Sequence, residues 1–140
     1  MQKAQISLDL LLALLTAIVL VTSFGYVITN EKQTQDELLI KQQLSTIVEN
    51  TSNLITAAQA VSDMNFTMQY RLQRINYLDE NKNSKSVYPI LKIVDQNKLN
   101  GKIIAAGKVF DYNSYFGYSK RIVIDVTSVE TTGIMVIRNA

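Results

Sequence analysis

The sequence has 140 residues and a formal net charge of +2, and it contains neither cysteine nor histidine. That length suits one globular domain plus an additional segment. The missing side chains exclude disulfides, thiolate metal centres and every nucleophile–imidazole pair, and so small and dispersed a charge argues against nucleic acid as a partner.

The first element is an apolar run. Leu10 to Ile28, LLLALLTAIVLVTSFGYVI, holds 19 residues without a charge. A helix of that length spans roughly 28 Å, close to the hydrocarbon thickness of a bilayer, so the run is read as a helix that enters a membrane. Lys3 and the amino terminus precede it, and positive charge on a short N-terminal flank keeps that end cytoplasmic and sends the rest outward. Two plainer readings compete. One is a secretory signal peptide, with Leu10 to Val21 as its apolar region and Ser23-Phe24-Gly25 as a small-x-small cleavage site. The other is a single-pass anchor with no further role. Asp9 speaks against both, because an acid at the edge of a membrane segment costs on the order of 1–3 kcal/mol unless it finds a partner.

The helical pattern also continues past the run. Ile40, Leu44, Ile47, Val48, Leu54, Ile55, Ala58 and Val61 recur at the three-and-four spacing of one helix face. No proline interrupts the stretch, and its one glycine is Gly25. A single helix over about residues 6–62 is therefore predicted, ~85 Å long. Its second-half stripe needs a cover, which the rest of the chain would supply.

The stretch Gln5-Ile6-Ser7-Leu8-Asp9 resembles the Q-x-S-x-E start of archaeal type IV pilins with a class III signal peptide. The resemblance implies cleavage by a prepilin peptidase between Ala4 and Gln5, releasing a leader of residues 1–4 and leaving the hydrophobic helix on the mature protein. Lys3 matches the basic residue expected just upstream, whereas Asp9 replaces the family's glutamate and Ala13 its usual leucine. The resemblance further implies that residues 5–30 form a filament core, with the Asp9 carboxylate paired to a neighbouring subunit's new amino terminus. Inside a low-dielectric bundle such a pair offsets burial of both charges and fixes axial register. The plain alternative for Asp9 is an acid exposed to water at the membrane interface.

Residues 31–62 are read as the amphipathic continuation of the helix, and residues 63–140 as an antiparallel β domain. Met64, Phe66, Met68, Tyr70 and Leu72 alternate with polar residues, as in a half-buried strand. Asp79 to Ser86 is polar and predicts a loop. Val87 to Val94 predicts a second strand, with Pro89 placing it at an edge or bulge. Asn100-Gly101 is a hairpin-turn signal. Arg121 to Val126 and Gly133 to Arg138 read as a closing hairpin around residues 129–132. The expected fold class is α+β: a long N-terminal helix packed in its second half on one antiparallel sheet of four to five strands, a pilin-like lollipop by resemblance.

Asn50-Thr51-Ser52 and Asn65-Phe66-Thr67 are N-glycosylation acceptor sequences on the outward side of the membrane, so Asn50 and Asn65 are candidates for an N-linked glycan. The aromatic run Phe110, Tyr112, Tyr115, Phe116 and Tyr118 reads as a loop folding its rings onto the sheet, with a contact patch as the alternative. Asp95, Asp111 and Asp125 lack the spacing of a calcium loop. No G-x-S-x-G, S-x-x-K or phosphate loop occurs, so no catalytic residue, metal or cofactor is expected. The function expected from the resemblance is that of a structural subunit of a surface filament, a homo-oligomer assembled through its N-terminal helix. The alternative is a membrane-anchored or secreted binding ectodomain, a minor pilin-like component that does not itself polymerise.

Overall fold

In a computed structural model the backbone is described for residues 2–79, 81–117 and 121–140, and side chains within those ranges from residue 10 onward. The chain divides into two units, Met1–Glu37 and Leu38–Ala140. One helix, α1, runs from Gln2 to Ala60. It starts before the predicted residue 6 and ends two residues short of the predicted end. Gly25 does not break it, although glycine costs a helix interior about 1 kcal/mol relative to alanine. Its C-terminus tightens as the N–H groups of Val61 and Ser62 bond the carbonyls of Ala58 and Gln59, three residues back. Such a closing turn satisfies carbonyls that no further helix residue can reach.

The second unit begins with the amphipathic part of α1. Ile40, Leu44, Ile47, Val48, Ile55 and Ala58 are buried as the periodicity predicts. Leu54 is only half-buried and Val61 is exposed, which shortens the stripe at its C-terminal end. In its middle, Thr51 and Ser52 are buried instead. Each hydroxyl has a carbonyl to donate to, Thr51 to Ile47 at 2.7 Å and Ser52 to Tyr115 at 2.8 Å, so neither carries the cost of an unmatched buried polar group.

Eight strands follow: β1 (Thr67–Arg71), β2 (Ile75–Leu78), β3 (Ser84–Val87), β4 (Ile90–Val94), β5 (Lys98–Ala105), β6 (Lys108–Tyr115), β7 (Ile122–Asp125) and β8 (Ile134–Asn139), with a one-turn helix α2 (Val129–Thr132) between the last two. The fold is α+β, as predicted. Instead of one sheet there are three, all antiparallel, in the orders β1-β8-β7, β2-β3 and β4-β5-β6. The predicted strand over Val87 to Val94 is split, because Pro89, which has no N–H to give a ladder, falls between β3 and β4. The polar stretch read as a loop is a hairpin. Asp79 accepts the N–H groups of Asn81 and Asn83 at 2.9 and 2.8 Å, and these side-chain bonds shape the turn that brings β3 back along β2. The first strand is shorter than predicted; Phe66, Met68 and Tyr70 are half-buried and Leu72 buried, but Met64 is exposed.

Asn100-Gly101 is not a turn. Both residues lie inside β5, and Gly101 is buried where the strand meets α1: a Cβ there would stand 2.2 Å from Val48 Cγ2. The glycine serves close approach of strand and helix, which sequence reading mistakes for a bend. The turns of this sheet lie at residues 95–97, a three-residue loop between the paired Val94 and Lys98, and at Ala106-Gly107, a two-residue loop between Ala105 and Lys108; Asp95, Gln96, Ala106 and Gly107 all have the positive φ that such tight loops use. The closing hairpin of β7 and β8 forms as predicted, and β8 is the middle strand of its sheet.

Polar groups on α1 also reach the strands. The Gln43 amide donates to the Asn76 carbonyl at 3.1 Å and accepts the Asn76 N–H at 3.0 Å, acting as one extra ladder rung for β2. Tyr112 on β6 donates its phenol proton to Glu49, and Gln59 donates to the Gly117 carbonyl. Asn139 at the end of β8 accepts the Phe66 N–H at 3.1 Å and donates to Ser62 O at 2.9 Å, which ties the last strand to the chain between α1 and β1.

Candidate membrane-inserting and assembly segment

Leu10 to Ile28 shows what a membrane segment requires of its residues. Every Leu, Ile, Val, Phe and Tyr side chain between these positions is 54% to 71% exposed, so the first unit supplies no cover for them. Twelve are Leu, Ile, Val or Phe, which at a bilayer centre contribute about 4 to 7 kcal/mol in favour of insertion. Polar side chains in the run are satisfied locally. Thr16 donates to the carbonyl of Leu12 or Ala13, Thr22 to Ile18 or Val19, and Ser23 to Val19 at 2.7 Å. Thr29 and Thr34 continue the pattern with Gly25 and Asn30. A hydroxyl that bonds its own helix leaves no unmatched donor, so these residues are compatible with an apolar surrounding. This helix is long and apolar enough to cross a membrane. It is compatible with membrane insertion or with a signal sequence; Ser23-Phe24-Gly25 lies within it.

Gln5, Ser7 and Asp9, and the Ala4–Gln5 bond, fall in the first turns of α1, and their side chains lie outside the described residues. Past the run, Leu38 and Leu39 are 51% and 54% exposed beside the buried Ile40, an uncovered apolar pair that the stripe at Ile40 and Leu44 does not anticipate.

The two acceptor sequences differ in setting. Asn50 is exposed, but it sits within α1, and Thr51 and Ser52 beside it are buried and bonded. Asn65 and Thr67 are both exposed, and Asn65 lies outside helix and strand. Phe110, Tyr112 and Tyr115 lie on β6 rather than in a loop, and Phe116 follows directly after it; Phe110 and Phe116 enter the core, Tyr112 is half-buried and Tyr115 is 69% exposed. Tyr118 lies outside the described residues. Asp95 sits in the β4–β5 turn, Asp111 on β6 and Asp125 at the end of β7; among the described residues no three His, Cys, Asp or Glu side chains gather as metal ligands.

Two kinds of ionisable group in the second unit are shifted by hydrogen bonds. The bond to Glu49, with some burial and the nearby negative charge, raises the Tyr112 phenol. The Thr127 hydroxyl at 2.6 Å and its backbone N–H at 2.9 Å lower the Asp125 carboxyl, and the Asn83 N–H leads the groups that lower Asp79.

No family model matches the chain, and neither the curated proteins nor the solved structures include a match to it.

Proposed function

We propose that the chain is a structural subunit of an archaeal type IV pilus-like surface filament, inserted in the membrane as a precursor and polymerised through its N-terminal helix. The observation that carries this reading is the uninterrupted α1, with an apolar run left uncovered at Leu10 to Ile28 and a face buried under small antiparallel sheets from Ile40 to Ala58. A helix apolar on all sides needs a solvent other than water, either lipid or copies of itself. The motif Gln5, Ser7, Asp9 and the basic Lys3 add a reason for release from the bilayer: the prepilin peptidase of the resembled family cuts before the glutamine.

In this proposal Asp9 pairs with the amino terminus of the adjacent copy, and the second unit is displayed at the cell surface. The N-terminal sequence of the mature protein tests it. A start at Gln5 supports the filament subunit; a start at Tyr26 means ordinary secretion, and an intact Met1 means a static anchor, each of which overturns it. Electron microscopy of cells producing Asp9→Ala then isolates the pairing: normal filaments in that variant would refute the role of Asp9 while leaving the rest standing.

A further inference from the structure

A groove of about 420 Å³ opens in the second unit where β2-β3, β4-β5 and α2 come together. Its arginine is unusually prepared. The Arg74 guanidinium lies 4.8 Å from the centroid of the Tyr88 ring. That ring lies directly against the backbone of Gly133, where φ is 72° and an added Cβ would fall 2.3 Å from the ring. Stacking of this kind occupies the face of the guanidinium and leaves its edge N–H fork free for a carboxylate. Among the described residues Arg74 makes no ion pair. Glu130, in the first turn of α2, lines the same groove and likewise forms no ion pair there. The lining beside the two charges is aliphatic: Ile90 is half-buried and Ile104 58% exposed, while Ile103, next along β5, turns its side chain to the opposite face and is buried. The Ser86 and Thr131 hydroxyls complete the rim.

We infer that this groove binds the carboxylate end of an aliphatic amino-acid residue, either as a small molecule or as the C-terminal residue of a peptide. The carboxylate takes the Arg74 fork, the aliphatic side chain lies on Ile90 and Ile104, and Glu130 accepts an N–H of the ligand nitrogen. The volume lies within the range of small-ligand sites. A pre-stacked arginine loses little side-chain freedom on binding, so more of each charge-assisted hydrogen bond appears as affinity. A free ammonium in place of the acyl amide would meet the same Glu130, but a neutral amide in place of the carboxylate would leave the fork unmatched. This inference does not depend on filament assembly.

The test is a titration of the isoleucine methyl NMR signals of the full chain in detergent micelles, with N-acetyl-leucine as the small probe and a pentapeptide ending in leucine as the second. Saturable shifts confined to Ile90 and Ile104 are expected. N-acetyl-leucinamide serves as the neutral control and should bind about tenfold or more weakly, the range of a charged hydrogen bond. Arg74→Gln should erase the difference between acid and amide, while the Ile47, Ile55 and Ile137 signals report that the core is intact. Arg74→Lys keeps the charge without the fork and should recover only part of the preference. Binding of both probes with equal affinity identifies the acylated residue itself as the ligand, and preference for the pentapeptide identifies a peptide end. No saturable shift at these methyls with either probe overturns the inference, as does an acid-over-amide preference that survives in Arg74→Gln.

Discussion

Gly101→Ala measures how closely β5 and α1 approach. The new methyl carbon would sit 2.2 Å from Val48 Cγ2, 3.3 Å from Leu44 Cδ1 and 3.4 Å from Leu91 Cδ2. Only the first contact is impossible, and it involves a short branched side chain with little freedom to turn away. Overpacking of this kind costs about 1–3 kcal/mol, while replacing glycine in a strand interior returns roughly 0.5–1 kcal/mol of backbone entropy. A net loss of about 1–2 kcal/mol is therefore expected. Val48→Ala alone removes two methyl groups at a fully buried position and should cost about 2 kcal/mol from lost transfer energy and a small cavity. In the double variant the methyl introduced by Gly101→Ala enters the space that Val48 leaves, so its stability should match Val48→Ala alone. The coupling should reach about 1 kcal/mol or more, above what independent sites show. The assay is urea unfolding of the full chain in detergent, followed by near-UV circular dichroism of the tyrosines. A Gly101→Ala variant within about 0.5 kcal/mol of the parent, the scatter of exposed substitutions, or single costs that simply add, would refute the close-approach reading.

Other consequences are more direct. Leu15→Arg in the apolar run should disfavour insertion by about 3–4 kcal/mol, read as the fraction of chain in the membrane pellet; unchanged partition would show that this run is not the span. Asn139→Ala removes the acceptor for the Phe66 N–H and the donor to Ser62 O, and should lower stability by about 1–3 kcal/mol in a urea melt. The Tyr112 phenol is raised from 10.0 by its bond to Glu49. Its contribution is thus full below pH 10 and lost as pH rises through the folded value, so Tyr112→Phe should flatten the alkaline side of a stability profile. Asp125 is lowered from 3.8, chiefly by the Thr127 hydroxyl. That contribution is present above pH 3.8 and lost as pH falls through the folded value, and Thr127→Val should reduce the acid-side loss. Where the chain is glycosylated, peptide mass spectrometry should find sugar at Asn65 and none at Asn50, because Ser52 is buried within a helix; the reverse pattern would mean modification before folding.

Charge-free length marked the apolar run of α1, and a three-and-four repeat marked the face of α1 that lies under the sheets. Both are one-dimensional signals, because a helix brings sequence neighbours onto one face. The closing hairpin of β7 and β8 was legible for the same reason, with its strands close in sequence. Gly101 was misread because a glycine needed for close packing and one needed for a turn look alike until the facing residue, Val48, is known. The split at Pro89 was visible as an edge or bulge, but not as the boundary between two sheets. Thr51 and Ser52 could not be placed in the core from their polarity, since their partners include a carbonyl 63 residues away for Ser52.

Which residues avoid water and which segment runs longest without charge can be read along the chain, because those properties reside in single side chains and their spacing. Which strand neighbours which, that Arg74, Tyr88 and Glu130 line one groove, and that one acceptor asparagine is followed by buried hydroxyls while the other is not, came only with the folded chain. Those relations depend on contacts between residues far apart in the chain, and no local period encodes them.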